Sequence, residues 1–137
     1  NGKMTEVHAA LGLANIKYLN KILSDRISKS KIYYDGLRIN EDLSFQEVKF
    51  GQTNSSYFPL IFKDENQLLS IQKILNKDNI FPRRYFFPSV NLFNNIFKYH
   101  RCNISENIAN RILCLPLYYE LEESKIRKII DIVNESL

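Results

Sequence analysis

Arg83-Arg84, followed at once by Tyr85, Phe86 and Phe87, is the one place in this 137-residue chain where groups suited to binding chemistry are concentrated. Guanidinium groups pair bidentately with phosphate or carboxylate, and the rings beside them offer a stacking surface for a base or a sugar. The same cluster can also be a strand end whose arginines lie along apolar surface with their heads in water. Elsewhere the chemistry is thin. His8 and His100 are the only imidazoles. His8 falls inside an apolar helical pattern, where a packed, hydrogen-bonded histidine is expected rather than a base. His100 sits in a polar loop and is expected to be solvated. No Ser-His-Asp or Cys-His arrangement stands out, carboxylates are scattered, and there is neither a glycine-rich phosphate loop nor a metal-ligand pattern. Cys102 and Cys114 have no metal-ligand spacing and no disulfide framework around them, so they read as reduced thiols of a cytoplasmic protein.

The elements that would carry the arginine cluster follow from periodicity and caps. Thr5 is a good N-cap and Glu6 complements the helix dipole. Met4, Val7, Leu11, Ala14, Tyr18 and Ile22 then recur at spacings of three or four, with Ala9, Ala10, Leu13 and Ile16 adding further apolar faces. This predicts one long projecting helix, buried nearly all round in its first half, polar beyond Leu23, and ended by Gly36 as a C′ glycine. Residues 38 to 53 read as a loop with a short strand at most. Residues 56 to 62 read as a strand, and Pro59 favours an edge position. Asp64 with Gln67 resembles a capping box opening a helix to about Asn76. Ile80 to Phe87 is short and extended between prolines, and 91 to 103 is an aromatic, asparagine-rich loop. Ser105 is read as the cap of a short helix, and Ile112 to Leu117 as a buried strand. Glu122 or Glu123 opens a last helix with Ile126, Ile129, Ile130, Val133 and Leu137 on one side. The alternation implies an α+β layer with helices packed on a small sheet.

Composition sets outer bounds. Apolar residues make up 45%, aromatics 12% and charged residues 25% of the chain; these are ordinary values for a folded domain, and they argue against disorder. A net charge of +4 spread without a basic block gives no reason to expect nucleic acid as a partner. No apolar run reaches the roughly 20 residues of a bilayer span, so no membrane partner is expected. Asn1 stands directly ahead of the first helix signal and the first methionine, Met4, lies within it. The chain is therefore expected to be part of a longer one.

Four segments, in order, resemble those of the DegT/StrS-type nucleotide-sugar aminotransferases. Asn1 to Leu13 is similar to N-x-x-M-S/T-E-x-x-A-A-x-G, which closes the family's large domain and starts the helix into the small one. Asn54 to Phe62 resembles N-x-x-Y-F-P-I/L/V-x-F, and Ile80 to Ser89 resembles I-x-x-R-R-Y-F-Y-P-S. Ser105 to Tyr118 resembles S-E-x-x-A/S-x-R-I/V-L-C-L-P-L-Y. Any one of these is weak; four in order, running end to end, are strong.

The resemblance implies the C-terminal portion of a fold type I, pyridoxal-phosphate-dependent enzyme, with residues 1–36 as the end of the large domain and connecting helix and 37–137 as the small domain. It implies a homodimer with interfacial active sites. The reaction would move an amino group from glutamate to a nucleotide-linked keto-deoxysugar, the arginine-aromatic segment looking most like members acting on thymidine-diphosphate 4-keto-6-deoxyhexoses. The Schiff-base lysine would lie upstream, since no lysine here has the serine- and glycine-rich surrounding the family gives it; the chain alone is expected to be inactive. Asn1 matches an asparagine that reaches the neighbouring subunit's cofactor phosphate, and a helix cap is its plainer role. Arg83, Arg84 and Tyr85 are the substrate-binding candidates. After Pro88, many relatives carry a proline-leucine-histidine run whose histidine faces the substrate; here Ser89-Val90-Asn91 stands instead, so no histidine role transfers. Two other readings stay open: a sugar dehydratase of the same fold, and a stand-alone interaction domain.

Overall fold

The computed structural model describes residues 2–48, 50–51, 53–96 and 98–137. Asn1, the residue matched to a cofactor contact, lies outside them. The described chain runs α1 (Glu6–Ile16), α2 (Leu19–Leu37), β1 (Ser44–Phe45), β2 (Phe58–Ile61), α3 (Glu65–Lys77), a short 3₁₀ turn (Val90–Leu92), α4 (Asn103–Arg111), β3 (Ile112–Leu115) and α5 (Glu123–Glu135). Strands β1, β2 and β3 form an antiparallel sheet in that order. This is the expected α+β layer.

The core lies between one face of the sheet and helices α2, α3 and α5. Side chains alternate along a strand, so Phe58, Leu60 and Phe62 point with Leu113 and Leu115 into a cluster closed by Leu68, Ile71, Leu75, Ile126, Ile129 and Val133. The stripe read on the last helix is the stripe that packs; only Leu137 stays half-covered. Tyr33 of α2 is fully buried, stacks on Phe58 at 4.8 Å and donates to the Pro116 carbonyl at 3.0 Å. Burial pushes its phenol well above the usual tyrosine range.

The first helix departs from expectation in three ways. It is broken at Lys17–Tyr18: the Tyr18 amide turns back to the Asn15 carbonyl at 2.9 Å, an i→i−3 bond, before Ile22 resumes the ladder on Tyr18. The burial is also reversed. The apolar part, α1, has no buried residue, with Val7 77% and Leu11 60% exposed, whereas the polar part, α2, buries Lys29, Tyr33 and Leu37 against α5 and the sheet. His8 is accordingly exposed, its ring nitrogen bonded to the Thr5 hydroxyl at 2.9 Å. Gly36, finally, is not a cap. It lies inside α2, where a Cβ would meet Ile130 Cδ1 at 2.8 Å, and its carbonyl accepts from Asn134 Nδ2 at 3.0 Å. Gly36 lets α5 approach.

Pro59 is in the middle of the sheet, not at its edge. It pairs across from Cys114, but the Cys114 amide and carbonyl are both spent on Arg83, on the other side of β3. The Pro59 nitrogen therefore faces the β1 side, where the two-residue β1 has already ended at Phe45 opposite Leu60. No ladder bond is lost, which removes the usual objection to a central proline.

Candidate functional site

The opposite face of β3, carrying Ile112 and Cys114, is the floor of the site. Two adjoining cavities stand on it, about 630 and about 320 Å³ in volume, and Tyr85 lines both. Their dividing wall is the segment from Ile80 to Pro88. Its approach is set by the end of α3, where Asn79 adopts φ +59° and the Ile80 amide reaches back to the Leu75 carbonyl at 3.0 Å while Asn79 bonds Asn76 at 3.1 Å. This is a Schellman termination, and asparagine tolerates the left-handed position. At its other end the helix opens on Asp64, whose side chain accepts from the Gln67 amide at 2.9 Å; Gln67 Oε1 in turn accepts from Lys63 N at 3.0 Å, one residue ahead of the usual capping-box partner.

The segment itself forms no strand among the described residues. It makes one bridge to β3, with Arg83 N donating to Cys114 O at 3.0 Å and Cys114 N to Arg83 O at 2.8 Å. That bridge orients the arginines. Consecutive side chains of an extended segment point to opposite sides, and the two guanidinium groups meet different fates. Arg84 is folded into the protein: Nη2 donates to Glu65 Oε1 at 2.9 Å and to the Asn110 carbonyl at 2.8 Å, and the group lies 3.5 Å from the Phe87 ring centroid. Arg84 ties the segment to α3 and α4. Arg83 stays exposed in the smaller cavity, donating to the Tyr85 hydroxyl at 2.5 Å, with no ion pair among the described residues. The hydrogen bond it donates to Tyr85 raises its pKa further, so the cation is permanent. Tyr57 meets Tyr85 edge-on at 5.3 Å. A fixed guanidinium flanked by two phenol rings can bind a phosphate or carboxylate and cover its organic part.

The larger cavity is bounded by α4 and the loop after Pro88. Five hydrogen bonds hold that loop. Ser89 Oγ donates to Asn91 Oδ1 at 2.6 Å; Asn91 Nδ2 donates to the His100 carbonyl at 2.8 Å and to Glu106 Oε1 at 2.6 Å; Tyr99 OH and Cys102 N also reach Glu106 Oε1, at 3.2 and 2.9 Å. The Cys102 amide, then Asn91, hold the Glu106 carboxyl below its ordinary range. Residue-by-residue reading missed this anchor: Ser105 was the expected cap, but α4 starts at Asn103 and Glu106 in its first turn collects the donors. A glutamate one turn into a helix, behind an asparagine-rich loop, was the available signal. His100 is exposed and lines the cavity with Lys98.

A family model described as the DegT/DnrJ/EryC1/StrS aminotransferase family matches residues 1–134. The chain belongs to this family. Two proteins, from Shigella dysenteriae and Escherichia coli, each named dTDP-4-amino-4,6-dideoxy-D-glucose transaminase, are 31% and 30% identical to it, covering 98% and 94% of the chain. The chain spans only 38% and 37% of their lengths. The crystal structure of the aminotransferase TlmJ from Streptoalloteichus hindustanus superposes with a TM-score of 0.86 over 95% of the chain and 35% of that protein, at 18% identity. That likeness concerns the fold. As a DegT-family portion, the chain thus shares its α+β architecture with solved aminotransferases. No helix among its described residues is long and apolar enough to cross a membrane.

Proposed function

We propose that this chain is the C-terminal portion of a pyridoxal-phosphate-dependent homodimeric aminotransferase that passes the amino group of glutamate to a nucleotide-linked keto-deoxysugar, a thymidine-diphosphate 4-keto-6-deoxyhexose above all. The observation that carries the reading is the exposed Arg83 guanidinium, unpaired among the described residues and braced by Tyr85 within a family-wide match. The names of the two transaminase relatives support the substrate class.

Among the described residues, the buried lysine does not suit the Schiff-base role. Lys29 is the buried lysine, and its Nζ is engaged by Asp25 Oδ2 at 2.5 Å; a Schiff-base lysine needs a free amine. We therefore assign that lysine to the part of the relatives' length beyond this chain, and Asn1 to the cofactor phosphate of the neighbouring subunit. When bound, pyridoxal phosphate would supply the electron sink for the amino transfer. The chain's own contribution is substrate binding. Arg83 holds the diphosphate charge, Tyr85 fixes the guanidinium and offers its ring, and Arg84 positions the segment through Glu65 and Asn110. Cys102 at the surface and Cys114, buried in the floor of the site, are both free thiols, which suits a cytoplasmic enzyme.

The test is the full-length protein carrying this chain, incubated with glutamate, pyridoxal phosphate and a thymidine-diphosphate 4-keto-6-deoxyhexose, with the aminated sugar read by mass spectrometry. Arg83→Ala is expected to raise KM for the nucleotide sugar at least about tenfold, the weight of a lost charge-assisted bond, with KM for glutamate little changed. Loss of a hydroxyl without amination would point to the dehydratase instead.

A further inference from the structure

We propose that Glu106, which lines neither cavity, is a positioning residue for the substrate site: by fastening the loop that follows Pro88 it fixes Tyr85, and through Tyr85 the Arg83 guanidinium. This rests on the nucleotide-sugar reading above. The segment that carries both residues is well held at its start, where Arg83 is bridged to Cys114 and Arg84 is bonded to Glu65 and Asn110. Its far end is not held by burial, because Phe86 is 69% and Phe87 45% exposed. The next fixed point along the chain is buried Ser89, whose hydroxyl donates to Asn91 Oδ1 at 2.6 Å. Asn91 is fixed in turn by Glu106 Oε1 at 2.6 Å.

The loop itself has little else to hold it. Val90, Leu92, Phe93, Ile96 and Tyr99 are all more than a third exposed, and among the described residues a three-residue 3₁₀ turn is its one regular element. A segment that buries so little apolar surface is kept in place by its hydrogen bonds, and it opens locally when they are removed. Bonds to an ionised oxygen are the strong kind. Capping of α4 does not account for them. The Cys102 amide alone would satisfy a carboxylate in that first turn, where the helix dipole also favours it. Yet Asn91, 15 residues away, and Tyr99 converge on the same oxygen. Glu106 is thus tied to both ends of the loop, and the loop is continuous with Tyr85.

The experiment uses the full-length protein carrying this chain, with Glu106→Ala, Asn91→Ala and the double variant. Two quantities are read: the rate of tryptic cleavage after exposed Lys98 and Arg101, and the calorimetric affinity for thymidine diphosphate. Each single variant is expected to be cleaved faster and to bind thymidine diphosphate about tenfold more weakly, the weight of one charge-assisted hydrogen bond. KM for the nucleotide sugar should rise alike, with kcat little changed. Because both variants break one contact, the double should bind no more weakly than the weaker single. Glu106→Gln, which keeps an acceptor oxygen, should recover part of the affinity. If Glu106→Ala does not fold, Asn91→Ala in the Glu106→Gln background carries the same cycle. Unchanged affinity in the single variants, or strictly additive losses in the double, overturns the proposal. Such a result in a protein that transaminates leaves the enzyme reading standing. The expected pattern in a protein that binds thymidine diphosphate without transaminating supports the positioning role and overturns the enzyme reading.

Discussion

At the scale of single residues, Glu106 shows how one carboxylate can hold a loop. Its Oε1 collects the Asn91 amide, the Tyr99 hydroxyl and the Cys102 backbone amide. Because these donors favour the charged form, the folded-state pKa lies below the unfolded one. The contribution is then complete above the ordinary glutamate value of about 4.3 and is lost as pH falls through the depressed folded value. Protection of the Cys102 amide, its exchange compared with an unstructured chain at the same pH, should therefore hold near neutrality and be lost only in acid, below that ordinary value. In Glu106→Gln the amide should exchange faster throughout and show no acid step. An acid step of equal size in the variant would assign the effect to another group. Arg83 and Arg84 make the complementary point: two identical neighbours, one turned outward into the smaller cavity and one turned inward to Glu65, Asn110 and Phe87.

At the scale of elements, the α2–α5 contact depends on Gly36. A glycine inside a helix costs about 1 kcal/mol relative to alanine, so Gly36→Ala would help an isolated α2. In the packed protein the new methyl would meet Ile130 Cδ1 at 2.8 Å and Cγ2 at 2.9 Å, and overpacking of this kind costs about 1–3 kcal/mol. Ile130 is buried and cannot swing into solvent, so crowding wins. Gly36→Ala is expected to lower stability by about 1 kcal/mol in urea unfolding. Ile130→Val, which removes Cδ1, should cost less in the Gly36→Ala background than alone, a coupling that a double-mutant cycle measures. Strict additivity would mean that the two helices do not touch there.

At the scale of the whole molecule, the unbalanced feature is α1. Met4, Val7, Leu11, Leu13 and Ile16 are all well over half exposed, although their spacing is that of a helix meant for burial. Apolar faces of this extent seek cover, and two copies pairing through equivalent helices is the simplest closed arrangement. The isolated chain is expected to self-associate through α1. Leu11→Glu should shift its sedimentation toward the monomer while leaving thermal unfolding unchanged, since Leu11 touches none of the core. A wild-type monomer at high concentration would refute this.

The last helix, the strand over Phe58–Ile61, the start of α3 and the arginine-aromatic cluster were all legible in the sequence, because each signal is written within about one or two turns of chain: a stripe, a cap, a β-rich run. The family resemblance was legible for the same reason, segment by segment. Tertiary structure alone decided the rest. Which arginine faces outward depends on the bridge between Arg83 and Cys114; whether Pro59 can be central depends on where β1 stops; whether Gly36 ends a helix or admits one depends on Ile130. The cavity beside Arg83 needs α4, β3 and a loop held by Glu106 to arrive together. Periodicity marks a side chain as one that needs burial. Only the assembled surfaces determine whether this chain provides it, as it does for α5 and does not for α1.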